Sequence, residues 1–193
     1  VAAKDIPQGR ITGEMGDVHP YGNPHFWFTP DNVAVACENI ANGLSRISPS
    51  EKEYFQSRKD DYVKRVRETF SRLKEKLTPY AGTKVLQFHE SWDYFCDCFG
   101  LDLAGSVEPK PGIPPSAAHL QRLVSLVKQQ GVRVAFVEPY YPEKPLRFLK
   151  EETGIRVVRL PLYLGGSSEA GSYLDNLEQN VSEIVKALGA KNE

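Results

Sequence analysis

The stretch KVLQFHESWDYFCDCFGLDLAGSVEP (residues 84–109) holds two short apolar runs on either side of a helical pattern. KVLQF reads as a strand, ESWDYFCDCF as a helix closed by Gly100, and LDLAGSV as a second strand. Downstream the alternation repeats. PSAAHLQRLVSLVKQQ is a helix ending at Gly131, VRVAFV a third strand, and PEKPLRFLKEET a helix ending at Gly154. IRVVRL is the fourth strand and SYLDNLEQNVSEIVKAL the last helix. Four β-α units in series require an α/β fold with a parallel sheet and helices on both faces. In such a sheet ligands bind outside the carboxyl ends of the strands. Those ends carry His89 and Glu90, then Glu108, then Glu138, then Pro161 to Tyr163. A histidine and several carboxylates at one sheet edge point to a metal. No Gly-x-Gly-x-x-Gly or Walker-type loop occurs at any strand end.

Upstream of the sheet, TPDNVAVACENIANGLSRI spaces Val33, Ala36, Ile40 and Leu44 as one helical stripe, with Thr29 or Asp31 as its cap. Ser48, Pro49 and Glu51 then have the capping-box pattern with proline at the first helical position. Phe55, Tyr62, Val66, Phe70, Leu73 and Leu77 recur every three or four residues until Thr78-Pro79. A helix over 48–77 would be about 45 Å long, longer than a small domain, and is expected to bridge two bodies.

Composition narrows the function. The 193 residues are 40% hydrophobic and 25% charged with a net charge of −1, so nothing points to a nucleic-acid partner. No apolar run approaches the ~20 residues of a membrane-spanning helix. The chain begins Val-Ala-Ala-Lys-Asp with no methionine, as expected of a processed or truncated product. Three cysteines leave at least one without an intrachain partner. Cys96 and Cys98 lie two apart on a helix, where side chains diverge, so they are expected as thiols rather than a shared metal site.

Four segments in order, GNPHFWFTPDN (22–32), FHESWDYFCDCFGL (88–101), VEPKPGIPPSAAHLQRLVSLVKQQGVRVAFVEP (107–139) and GSYLDNLEQNV (171–181), resemble the zinc- and manganese-binding solute-binding proteins of ABC transporters, the cluster A-I type. The resemblance implies two α/β lobes joined by a long rigid helix, with the metal between them. On that plan residues 1–47 are the C-terminal part of a partial N-terminal lobe, 48–80 the connecting helix, and 81–193 the four-stranded C-terminal lobe. The first half of the N-terminal lobe, which brings the family's first metal-binding histidine, is expected to be missing by truncation.

The resemblance implies His25 and His89 as metal ligands. Pro24 supports the first, because its ring fixes its own φ and keeps Asn23 extended. Histidine at position 89, where manganese-specific relatives carry a carboxylate, favours zinc, with manganese or iron as the other cargoes. For the remaining position Glu138 is the first choice, with Tyr163 or water as alternatives, since the nearest acid in the last loop is Glu169. His19 is expected in solvent, with an auxiliary ligand as the other reading. His119 is expected on a helix surface, and Trp27 and Trp92 at the lobe interface. The implied protein is not an enzyme. It is a monomeric periplasmic or extracellular receptor, with or without a lipid anchor, that hands a divalent metal to a membrane permease. A zinc hydrolase using Glu90 or Glu138 as base, and a surface adhesin, are the alternative readings.

Overall fold

In the computed structural model, residues 23–110, 112–166 and 170–190 are described; His19 and Glu169 lie outside them. The strands β1 (Lys84–Gln87), β2 (Asp102–Ser106), β3 (Val134–Val137) and β4 (Arg156–Arg159) pair in parallel in the order β2-β1-β3-β4. Helices α3 (Asp93–Phe99), α4 (Ala117–Gln130), α5 (Glu143–Thr153) and α6 (Tyr173–Gly189) follow them in turn, as the sequence pattern requires. Successive strand residues face opposite sides. Val85, Val134, Phe136 and Val158 therefore enter one core with residues of α3 and α6. Leu86, Ala135 and Val137 enter a second core beneath α4 and α5. The chain leaves α3, α4 and α5 through Gly100, Gly131 and Gly154, each with φ near +70°, a conformation that glycine adopts without a Cβ penalty.

Helix α1 (Pro30–Ile47) is capped by Thr29, whose hydroxyl accepts from the Asn32 N–H at 3.3 Å. Helix α2 (Lys52–Leu77) has 26 residues and is about 39 Å long, shorter than the sequence suggested. Pro49–Glu51 form a 3₁₀ turn before it, and Ser48 makes no side-chain cap bond, so the capping box is not built. The second half of α2 buries Val66, Phe70, Leu73 and Leu77 in the core that also holds α3 and α6. Its first half carries α1.

The expected stripe on α1 is only partly buried. Val33 and Ala41 are covered, whereas Ile40 and Ile47 are 62% and 83% exposed. The helix bears two apolar stripes, and α2 covers the one through Val33 and Ala41.

After β4 the chain turns sharply through residues 161–166. The Asn176 and Asn180 side-chain amides both donate to the Pro161 carbonyl, at 2.9 and 3.0 Å. A Cβ on Gly166 would stand 2.6 Å from Cβ of Pro161, so the turn closes only around glycine. Gly166→Ala is expected to cost about 1–3 kcal/mol through overpacking, a fall of several degrees in Tm. Gly43→Ala is the comparison. No atom lies within 4 Å of a Cβ there, and its gain in helix propensity should hold or raise Tm. Equal thermal shifts for the two variants would show that the 161–166 turn is not tight.

Candidate metal centre

His25 is held by an Asx-type turn that the Asn-Pro-His sequence encodes. Asn23 Oδ1 accepts from the His25 backbone N–H at 3.0 Å and from its ring Nδ1–H at 2.8 Å. The same Asn23 donates through Nδ2 to the Glu90 carbonyl at 2.9 Å, so one amide ties the His25 segment to the loop after β1. Beyond His25, residues Phe26–Phe28 form a 3₁₀ turn. Phe28, 1% exposed, stacks on Trp92 with ring centres 5.1 Å apart. The Trp27 ring lies 5.5 Å from His25 and 5.3 Å from Tyr163.

His89 stands just past the carboxyl end of β1, where the strand-end rule places a ligand group. Its Nδ1–H donates to Glu108 Oε2 at 2.6 Å, and Glu108 Oε1 accepts from the Gly112 N–H at 2.8 Å. The turn that follows is pinned by the buried Gln87, whose Oε1 accepts from the Trp92 N–H at 2.9 Å and whose Nε2 donates to Asp93 Oδ2 at 3.2 Å. Each imidazole thus gives its Nδ1–H to an oxygen acceptor, which fixes the tautomer with the lone pair on Nε2. A carboxylate behind a histidine also makes it a better donor to a metal.

The two rings come together. His25 and His89 have centroids 5.5 Å apart and planes inclined at 79°. Two imidazoles bound to one tetrahedral zinc have ring centres about 5 Å apart, taking Zn–N near 2.0 Å and the ring centre about 1.1 Å behind the nitrogen. The observed spacing matches that arrangement.

Glu138, at the end of β3, is fully buried. Its Oε1 accepts from the Trp92 indole N–H at 3.2 Å. Its Oε2 has no hydrogen-bond partner among the described residues, although the Ser91 hydroxyl stands close by. Burial holds the Glu138 carboxyl above the usual range, and the neighbouring Ser91, His89 and Trp92 partly offset this. Among the described residues, no group of three or more His, Cys, Asp or Glu side chains could hold a metal ion. Glu138 therefore lies beside Trp92 without forming a three-donor cluster with the histidines. Glu90, also at this edge, is likewise shifted upward, first by burial and then by Asp93.

The remaining candidates fall outside the centre. The His119 ring Nε2–H donates to the Ser106 carbonyl at 3.1 Å. Cys37, Cys96 and Cys98 form no disulfide, and burial pushes Cys98 up to about 11, away from the thiolate a metal needs. Trp92 is buried in the core, with Phe28 of the His25 segment stacked on it. Asn23, Gln87 and the pairing of Glu108 with His89 were not apparent from the sequence. Asn two residues before a histidine is an Asx-turn signal that could have revealed the first.

The carboxyl edge of the parallel sheet thus presents His89, and the segment before α1 brings His25 beside it, each ring with its Nδ1–H engaged by an oxygen. The chain belongs to the family described as zinc-uptake complex component A, periplasmic, which it matches over residues 1–187. Members of this family are metal-binding receptors of ABC transporters, not enzymes. The high-affinity zinc uptake system protein ZnuA of Paracoccus denitrificans is 28% identical over 170 residues, covering 87% of this chain and 52% of that protein. The iron-binding protein YfeA of Yersinia pestis is 22% identical over 201 residues, 96% of this chain and 64% of its own length. Among solved structures, FpvC of Pseudomonas aeruginosa in complex with Mn2+ superposes with a TM-score of 0.75 at 25% identity, covering 86% of this chain and 61% of that one. The chain spans about half the length of the curated relatives it matches. No helix among the described residues is long and apolar enough to cross a membrane.

Proposed function

We propose that the protein of which this chain is part captures a divalent transition metal outside the cytoplasm, with zinc as its preferred cargo, and delivers it to an ABC permease. The observation that carries this reading is the pair of imidazoles 5.5 Å apart, each with its Nδ1–H engaged by an oxygen. His25 and His89 supply two donors. Glu138, buried at the end of β3 with its Oε2 unpartnered among the described residues, is assigned as a third donor; water or residues outside those described complete the shell. Two imidazoles suit zinc better than the harder manganese, which prefers oxygen donors. The zinc-uptake, iron-binding and manganese-bound relatives make the metal a matter for direct competition.

Titration of the chain with zinc against a competing chelator tests the reading. Stoichiometric binding that manganese displaces only in large excess supports it, and no binding of any divalent metal overturns it for this chain. The pH dependence follows from the donor chemistry. Each ligating imidazole must be neutral, and protons compete for Nε2 below histidine's ordinary pKa of about 6.5. Affinity therefore falls as the solution is acidified, because protons take the Nε2 lone pairs that the metal needs. Affinity that stays flat between pH 5 and 8 would exclude histidine ligation.

A further inference from the structure

His25 is anchored on both sides, and the second anchor lies on α6. Before His25, Asn23 grips the Glu90 carbonyl. After it, the Tyr173 hydroxyl donates to the Trp27 carbonyl at 2.6 Å, joining residues 146 apart in the chain. Tyr173 opens α6, where the Ser172 side chain caps the helix by accepting from the Asp175 N–H. One and two turns further on, Asn176 and Asn180 hold the Pro161 carbonyl at the base of the turn that carries Tyr163. Tyr163 in turn packs on the Trp27 ring, which also meets His25 edge-on. The first two turns of α6 thus grip Trp27 through its carbonyl and through the loop against its ring.

Resting on the metal-receptor reading, we infer that Tyr173 is a positioning residue for His25, a clamp whose single hydrogen bond holds the His25 segment against the second lobe and sets how fast the cargo leaves. The bond is made by a neutral hydroxyl on a neutral carbonyl, strong enough to order the segment and weak enough to be given up. Aromatic packing around Trp27 limits how far the segment swings while the bond is open, so release does not require unfolding.

Tyr173→Phe tests this with the ring retained. Zinc loaded on the chain is drawn off by excess chromophoric chelator in a stopped-flow experiment. The variant is expected to keep stoichiometric binding and to release zinc about five- to tenfold faster, as loss of one neutral hydrogen bond implies. A second readout needs no metal. Acylation of His25 by diethylpyrocarbonate, followed by mass spectrometry, should quicken in the variant while that of His119 stays unchanged.

Zinc release and His25 acylation at the parent rates would overturn the clamp and leave the metal-receptor reading intact. Faster acylation of both histidines with a large fall in Tm would also overturn it, since that marks general loosening. If the parent chain bound no zinc, the receptor reading would fail, and His25 acylation alone would decide the role of Tyr173.

Discussion

Replacing His89 by alanine is expected to weaken zinc binding by at least about 100-fold, equivalent to about 2.7 kcal/mol, while Tm of the metal-free chain moves by only a few degrees. The ring is partly exposed, with 18% of the side chain accessible, so its removal opens space to water rather than leaving a dry cavity. Its hydrogen bond runs to Glu108, which keeps its second contact, the Gly112 N–H. His25→Ala should cost zinc affinity to a similar extent. The two losses should not add in the double variant, because a site with one imidazole gone has little left to lose. Glu108→Gln makes the finer test. An amide at that position can offer N–H rather than oxygen to His89 Nδ1, favouring the tautomer with its proton on Nε2. Loss of such an outer carboxylate typically costs 10- to 100-fold, so it should fall short of His89→Ala. Chelator competition on the three variants measures the order. If His89→Ala bound zinc as the parent does, the metal would have to sit elsewhere on the chain.

The sheet was legible because its signals are local and repeated. Each strand is a short apolar run bounded by polar or turn residues, and glycine stops α3, α4 and α5 at the positions where the pattern ends. The beginning of α2 was less legible. Pro49 satisfies the rule for a first helical residue, yet the 3₁₀ turn at Pro49–Glu51 delays the α-helix to Lys52. The face of α1 was not legible, since Val33, Ala36, Ala41, Ile40 and Leu44 permit two stripes and only packing against α2 selects one. At the site, the strand-end rule located His89 and the proline geometry drew attention to His25. The partners behind those rings depend on contacts between distant residues. Glu108 meets His89 from across a 19-residue separation, and Asn23 meets Glu90 from across 67; no periodicity in the chain records such meetings. The sequence gathered three carboxylates, Glu90, Glu108 and Glu138, at the sheet edge without distinguishing their roles. Burial separates them: Glu138 lies fully inside beside Trp92, and Glu108 faces His89.

Phe28→Ala should show that the core and the site are one mechanical unit. Phe28 is 1% exposed, stacks on Trp92, and meets Phe95 edge-on at 5.7 Å. Its truncation leaves a cavity among rings that cannot collapse onto it, a cost of about 3–5 kcal/mol and a fall in Tm on the order of 10 °C. Phe28 is also buried only three residues along the same segment from His25. Removing it takes away the apolar anchor, leaving the Asn23 and Tyr173 hydrogen bonds to place His25 unaided. Zinc affinity measured well below the variant's Tm should therefore drop by at least tenfold. Phe99→Ala provides the contrast. Phe99 is 2% exposed and stacks on Phe70 at 5.7 Å, so its loss should cost similar stability, but its ring reaches neither His25 nor Trp92. Zinc affinity in that variant should stay near the parent's. Equal affinity losses in the two variants would mean that any weakening of this core loosens the metal site, and that the His25 segment has no anchor of its own. A loss confined to Phe28→Ala would mean that the aromatic run after Asn-Pro-His serves as the bolt that holds His25 to the core around Trp92.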